Sequence, residues 1–383
     1  MREKSVLIGI PVLYIGGTEI QTLNLVRVLV SSGYQVTICC YYEFDDSMVS
    51  RMEKTGAKVI LMGLKRSHGR LSLMIKLRKV LIESQPDIVH IQYIAPGLVP
   101  ITVARLSGIQ TIFATVHQPG RTYGWKPKLL IRIASYLCTA FFCNSKAVEK
   151  SWFGDSQIFN PNKMDSKRKH FTIYNAVDAF NIGRIVKEAD REKIRESLGI
   201  NNKKVIGVVG RLRSEKGHSV LLKAFGDIVK ILPNSVLLIV GDGPDRVNLE
   251  EMAKELGIHG HVKWLGQRVP EEVHELYSIM DIVAVPSLFE GFGFTAAEAM
   301  AVGKPVVASN VEGLSEIVQH GVNGLLVPPG DKNALSGSTI QLLSDPTRAA
   351  LMGARGQQMV RKDFSLERFQ STILAAYTLF SHT

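Results

Sequence analysis

The chain has 383 residues, 45% of them hydrophobic and 21% charged, a composition that excludes global disorder and a length that calls for two cores rather than one. Its formal net charge of +11 lies wholly in one half: residues 1–180 carry 23 Lys+Arg against 12 Asp+Glu, and the remainder 23 against 23. No apolar run approaches the roughly 20 residues that span a bilayer, and Cys39, Cys40, Cys138 and Cys143 show neither a zinc-type spacing nor a CxxC pair, so they read as reduced, mostly buried thiols.

The N-terminus, MREKSVLIGIPVLYIGG, has a short apolar run after basic residues, as a signal peptide does, but continues directly into the amphipathic pattern GGTEIQTLNLVRVL. It is read as a first buried strand of a cytoplasmic protein. Short apolar runs then alternate with helix-like stretches. Strands are predicted at 6–11, 36–41, 58–62, 87–92, 111–117, 139–145 and 171–176. A polar segment, 178–203, reads as a linker. A second series follows at 204–211, 235–243, 261–266, 281–286, 305–309 and 324–328, and LERFQSTILAAYTLF (366–380) is a helix with no strand after it. Such alternation predicts parallel sheets covered by helices, an α/β chain of two Rossmann-like doubly wound domains. The domains are placed at 1–180 and 181–363, with the C-terminal helix, 364–383, packing back on the first.

In open parallel sheets ligands bind at the carboxyl ends of the strands. GGTE, residues 16–19, follows the first strand; Gly17 would let a phosphate approach the helix start, or the turn is simply tight with Thr18 as N-cap. VGRLRSEKG (209–217) places Arg211 and Lys216 past another strand. A forked guanidinium and a mobile ammonium there can close on a diphosphate, although a solvated loop would look the same. GDGP (241–244) has a reading in local turn chemistry. PSLFEGFGFTAAEAMAVGKPVVAS (286–309) brackets a glycine-containing turn with Glu290 and Glu298. A turn entering a helix gathers unpaired N–H groups and the positive dipole end, suited to phosphate, while carboxylates accept hydrogen bonds from sugar or ribose hydroxyls. Thr295-Ala-Ala-Glu298 also fits a capping box, which would explain Glu298 locally but leaves Glu290 unexplained. His117, at a strand end before Gln118-Pro119, has both a structural and a cleft-facing reading. Asp45-Asp46 lacks the DxD spacing of a metal-diphosphate site, and there is no HExxH, Walker A loop or GxSxG elbow.

Together these segments resemble the group-1, family 4-like retaining glycosyltransferases with the GT-B fold. The resemblance spans GGTE, HIQYIAPG (90–97), TVHQP (115–119), IYNAVD (173–178), VGRLRSEKG, VGDGP, MDIVAVPS (280–287), the E-x7-E element EGFGFTAAE (290–298), GKPVVAS and EIVQHGVNGLLVPPGD. It implies two domains facing across a cleft, with a nucleotide-sugar donor held mainly by the second and an acceptor by the first. Arg211 and Lys216 would neutralise the diphosphate in place of a metal. Glu290 would bind hydroxyls of the transferred sugar and Glu298 the ribose. Backbone N–H groups around Gly293, Phe294 and Thr295 would meet sugar and distal phosphate, Gly17 would approach the diphosphate, and His117 would lie near the donor sugar. No cofactor or metal is implied; the nucleotide sugar is a substrate. Where many relatives have Gly-Gly, this chain has Glu312-Gly313, and the added carboxylate either alters donor preference or faces solvent.

The basic N-terminal half predicts an anionic partner. Lys65, Arg66, Arg70, Lys76, Arg78 and Lys79 fill one acid-free stretch, and Arg121, Lys126, Lys128 and Arg132 flank Trp125 and LLIRIASYL. That pattern suits peripheral binding to an anionic membrane surface and a lipid-linked or cell-surface glycan acceptor, or a soluble basic face. No nucleic-acid reading module accompanies the charge. Rival readings are another enzyme of the same fold, such as an epimerase or phosphorylase, and a non-catalytic sugar-nucleotide sensor. UDP is favoured over GDP as the donor base.

Overall fold

The computed structural model describes residues 3–92, 98–163, 165 and 167–381. The chain divides into two compact units, 1–176 with 366–383, and 177–365. Part of the HIQYIAPG element, 93–97, lies outside the described residues.

The first unit is built on seven parallel strands: β1 (Ser5–Ile10), β2 (Gln35–Cys40), β3 (Lys58–Leu61), β4 (Ile88–Gln92), β5 (Thr111–Val116), β6 (Ala140–Cys143) and β7 (His170–Thr172), in the order β3-β2-β1-β4-β5-β6-β7. Every predicted strand of this half is present. Because both faces of a parallel sheet are covered, its strands are apolar on both sides rather than alternating; all five residues of β4 and all four of β6 are buried. One face packs Leu25, Val26 and Leu29 of helix Gly17–Ser31 together with Phe369, Ile373 and Tyr377 of helix Leu366–Phe380. The other packs Leu73, Leu77 and Leu81 of helix Gly69–Ser84 with residues of helices Val99–Leu106, Trp125–Leu137 and Lys146–Phe153. The four cysteines are buried and free. Burial pushes the Cys39 and Cys138 thiols up to about 12, as expected where a thiolate would be desolvated.

The second unit has six parallel strands: β8 (Lys204–Val209), β9 (Ser235–Val240), β10 (Val262–Gly266), β11 (Ile282–Val285), β12 (Val306–Ser309) and β13 (Gly324–Val327), ordered β10-β9-β8-β11-β12-β13. The reversal of winding falls between β8 and β11, the strands that precede VGRLRSEKG and the E-x7-E element. A topological switch point of this kind leaves a crevice at the strand ends.

The segment read as a linker is instead structured. Residues Ala179–Glu188 and Arg191–Ser197 form helices capped by Asp178 and Asp190, whose carboxylates accept from Asn181 N (3.0 Å) and Lys193 N (3.1 Å). Ala179 and Ile182 are buried, and the first helix packs on helices Pro270–Tyr277 and Phe294–Ala301 of the second unit. Two well-placed caps and a short apolar stripe outweigh the overall polarity of the segment.

Candidate functional site

In the second unit, the loops after β8 and β11 are fastened to each other. Leu288 N donates to Glu215 O (2.8 Å). Gly217 has φ +68°, and a Cβ there would fall 2.0 Å from Pro286 O, so only glycine allows the two loops to close this far. That closure delivers Lys216 to Glu290: Nζ lies 2.6 Å from Oε2, with Ser287 Oγ donating to the same oxygen at 3.3 Å. Both side chains remain partly exposed. Glu290, which no local motif explains, therefore has a partner 74 residues away. Arg211 is exposed on the same loop, two residues past the end of β8. The following residue of that loop, Leu212, exchanges backbone bonds with GDGP and the residue after it: Leu212 N donates to Asp242 O (3.0 Å) and Leu212 O accepts from Asp245 N (3.1 Å).

The expected capping box at Thr295 does not form. Helix Phe294–Ala301 is capped by Gly293 in a left-handed conformation (φ +102°, ψ +56°), which makes Thr295 the second helical residue rather than the cap. The Thr295 hydroxyl donates to Val209 O (3.1 Å), tying the helix start to the end of β8. Glu298 has no capping duty; its Oε2 accepts from Tyr277 OH at 3.0 Å and its Oε1 lies 4.0 Å from His274 Nε2. Burial, reinforced by the Glu298 charge, raises the Tyr277 phenol well above its ordinary value, so it stays a donor. Tyr277 and His274 lie outside every sequence motif. Nothing in the sequence pairs Tyr277 with a glutamate 21 positions on; the contact arises only in the folded unit.

Gly313 is required for space rather than for backbone freedom. Its φ is not left-handed. A Cβ would sit 2.6 Å from Gly291 C, 2.7 Å from Glu290 O and 2.7 Å from Phe292 N, and Gly313 N donates to Glu290 O at 3.2 Å. The residue is glycine so that the next loop can lie directly against the backbone that carries Glu290. Behind the site, His218 is buried with neither ring nitrogen bonded among the described residues; burial and the nearby Lys216 charge lower it to about 4. At the ends of β9 and β10, Gly241 N donates to Gly266 O (2.8 Å), and the Arg246 guanidinium stands over the Trp264 ring at 6.0 Å.

In the first unit, helix Gly17–Ser31 begins at Gly17 behind an extended Gly16 without a side-chain cap. Thr18 is thus not the N-cap, because the glycine before Gly17 already occupies that position. The helix is fixed to the chain after β7 by Gln21 and Asn24, which bond Ala176 N and O, each at 3.1 Å. His117, just past β5, is buried; Nε2 meets Gln92 Oε1 at 2.9 Å, and Nδ1 has no hydrogen-bond partner among the described residues. An amide oxygen only accepts, so Nε2 carries the proton and Nδ1 keeps its lone pair. Burial lowers this histidine to about 4, and it is a neutral imidazole near pH 7. His90, on β4, is spent structurally between Tyr377 OH and Thr115 Oγ1, both at 2.7 Å.

Asp45 caps helix Asp46–Glu53, accepting from Ser47 N at 2.9 Å and Met48 N at 3.3 Å, which gives this acidic pair a local purpose. Glu149, Asp155 and His170 bring potential ligand atoms within 4.8 Å of one another. The Arg168 guanidinium binds both carboxylates there at 2.8 Å, so the charge that such a group would seek is already supplied by the chain.

Two sequence families match this chain, the glycosyl transferases group 1 over residues 190–359 and glycosyltransferase family 4 over 15–178. The chain belongs to the group-1 glycosyltransferases. An uncharacterized glycosyltransferase of Methanocaldococcus jannaschii is 33% identical over 63% of this chain and 62% of its own length. An N-acetyl-alpha-D-glucosaminyl L-malate synthase of Bacillus anthracis is 29% identical over 80% of this chain and 78% of its own. The chain thus spans less than two thirds of the first of these relatives. Among solved structures, the Anabaena protein HepE, in complex with UDP and glucose, superposes with a TM-score of 0.80 at 21% identity, over 97% of this chain and 99% of that one. The fold of this glycosyltransferase family member is GT-B, as the motifs imply.

Proposed function

We propose that the protein is a retaining, metal-independent hexosyltransferase that moves a sugar from a nucleoside-diphosphate sugar to a glycan or lipid-linked acceptor in cell-surface polysaccharide assembly, such as that of lipopolysaccharide, on the cytoplasmic side. UDP is the favoured base, and GDP the second. The observation that carries this reading is the Lys216–Glu290 pair at the switch point of the second sheet, beside the N-terminus of helix Phe294–Ala301. A diphosphate arriving there meets the N–H groups and positive end of the helix, and competes with Glu290 for Lys216. Displacing the Lys216 contact releases Glu290 Oε2 to accept from sugar hydroxyls, so recognition of phosphate and of sugar are coupled through one ion pair. Glu298, oriented by Tyr277, accepts from the ribose. Gly17 and His117 keep their implied roles as donor contacts.

In the reaction, the acceptor oxygen bonds to the anomeric carbon on the face from which the phosphate oxygen departs, and the acceptor proton passes to that phosphate oxygen. Negative charge accumulates on the leaving diphosphate in an oxocarbenium-like state. Arg211, Lys216 and the helix N-terminus are the groups that stabilise it. Release of free UDP only when acceptor is added tests the proposal; release without acceptor would point to an epimerase or hydrolytic relative, and binding without turnover to a sensor. Inversion at the anomeric carbon by NMR would overturn the retaining step, and loss of turnover on chelation would overturn its metal independence. The basic N-terminal half and the L-malate named in the Bacillus relative favour a second reading, a small anionic acceptor. L-malate therefore belongs in the acceptor panel.

A further inference from the structure

Two helices on one face of the first sheet each carry a second apolar stripe that is exposed. In helix Gly69–Ser84 the core-facing residues are Leu73, Leu77 and Leu81. Leu71 (70% exposed), Ile75 (66%) and Ile82 recur at the same helical spacing on the opposite side; at 3.6 residues per turn they fall within about 40° of one another. Helix Trp125–Leu137 repeats the arrangement. Ile131, Ala134 and Ser135 face the core, while Trp125 (70%), Leu129, Ile133 and Tyr136 (78%) line the outside. Helix Val99–Leu106 packs between these two in the same layer, with Leu106 exposed. None of the three is long and apolar enough to cross a membrane.

Basic residues interleave with these stripes. Arg78 lies within the first and Lys79 beside it; Lys126 and Arg132 border the second, with Lys126 Nζ 5.7 Å from the Trp125 ring. Glu83 is the only acidic side chain on the three helices, 3.8 Å from Lys79, and helix Trp125–Leu137 has none. Such a surface would repel a second copy of itself. Aliphatic side chains along the stripes offer nothing to the phosphates or bases of a nucleic acid. An aromatic residue with a polar edge at each end of an aliphatic run, flanked by cations, suits the headgroup region of a bilayer.

We propose that this three-helix face docks the protein on an anionic lipid bilayer, with Leu71, Ile75, Trp125, Leu129 and Ile133 entering the interface and Arg78, Lys79, Lys126 and Arg132 meeting lipid phosphates. The proposal gives the lipid-linked acceptor of the preceding section a physical setting, but it stands on surface geometry alone.

The test uses the full chain and sedimentation with vesicles of phosphatidylcholine containing phosphatidylglycerol, against vesicles of phosphatidylcholine only, at low and high salt. Binding to the anionic vesicles that weakens with salt, with a blue shift of Trp125 emission, is expected. Arg78→Gln with Lys126→Gln should weaken it about fivefold per charge removed. Trp125→Ser with Ile133→Ser should abolish the blue shift and most of the binding, with the melting temperature unchanged because both positions are exposed. Failure to sediment with anionic vesicles at low salt overturns the proposal, as does binding that neither double variant reduces. A concentration-dependent dimer that the Trp125→Ser, Ile133→Ser variant loses would assign the face to a second copy and overturn it equally. Stabilisation of the same samples by UDP reads the donor site separately, so loss of either proposal leaves the other standing.

Discussion

Lys216 holds Glu290, and the two side chains should therefore respond in opposite directions to substitution. Glu290→Gln releases Lys216 from its counter-charge; UDP should bind at least as tightly as to the parent, while the difference in affinity between UDP-glucose and UDP disappears. Lys216→Ala should weaken UDP itself by about 1.5–3 kcal/mol, the range for a hydrogen bond to a charged group. Calorimetric titration of both variants with both ligands measures this, and an equal loss of both ligands in Glu290→Gln would remove its assigned role. Gly313→Ala is the third change of interest at this scale. Its Cβ would press on the backbone from Glu290 to Phe292 at 2.6–2.7 Å, so a stability loss of about 1–3 kcal/mol should accompany a loss of turnover, read by denaturant midpoint and product release. The histidines add a pH dependence whose sign follows from burial. His90, His117 and His218 are held neutral, at about 3, about 4 and about 4, against 6.5 when unfolded. Below 6.5 the unfolded chain binds more protons than the folded one, so stability is full above that value and is lost as pH falls toward 4. Each tenfold difference in proton affinity between the folded and unfolded chain is worth about 1.4 kcal/mol, so His117→Gln should flatten that slope by up to roughly 3 kcal/mol, in denaturation midpoints measured across the window. Glu290, Arg211 and Lys216 stood out in the sequence as candidates, because their types and their places after strands constrain the chemistry, but the contact between Lys216 and Glu290 was not legible there, since the two lie 74 residues apart. Tyr277 was not, since a buried tyrosine in a helix reads as core until the packing shows what its hydroxyl meets.

Elements were legible where their pattern is local. All thirteen strands, apolar and bounded by turn residues, stand where the sequence places them, within a few residues at the ends. Two local signals misled for the same physical reason, competition from a neighbouring group. The Thr295–Glu298 spacing satisfies a capping box, yet Gly293 takes the cap and β8 takes the hydroxyl; the polar run 178–203 lacks a long apolar stripe, yet aspartate caps and two buried side chains make it helical. The C-terminal helix was visible as a pattern, while its chemistry was not. Phe369, Ile373 and Tyr377 are buried against the first sheet, each contributing about 2 kcal/mol by area, and Tyr377 OH is a hydrogen-bond partner of the buried His90. Tyr377→Phe preserves the packing and leaves His90 Nδ1 unsatisfied. A stability loss of about 1–3 kcal/mol is expected, measured by urea unfolding. A neutral result would mean that the hydroxyl contributes nothing beyond shape.

For the molecule as a whole, the decisive fact is that the second unit is one continuous stretch, 177–365, and the first is closed by residues from both ends of the chain. The two should differ as isolated fragments. Residues 177–365 contain all six strands of their sheet, both helices of the former linker segment and every second-unit group proposed to touch the donor, including Arg211, Lys216, Glu290 and Glu298. Expressed alone, they should fold and be stabilised by UDP; a ligand at a hundred times its dissociation constant contributes about 2.7 kcal/mol. Residues 1–176 expressed alone lose helix Leu366–Phe380, uncovering the face of β4 and β5 on which Tyr377 packs against Phe113 at 4.8 Å. They should aggregate, or recover a cooperative transition when the missing helix is added as a peptide or joined through a short linker. Circular dichroism and thermal shift on the three fragments decide the matter. If 177–365 failed to respond to UDP while the full chain did, the donor groups of the second unit would be insufficient for binding, and the weight now placed on Lys216 and Glu290 would have to move to Gly17, His117 and the basic half of the chain.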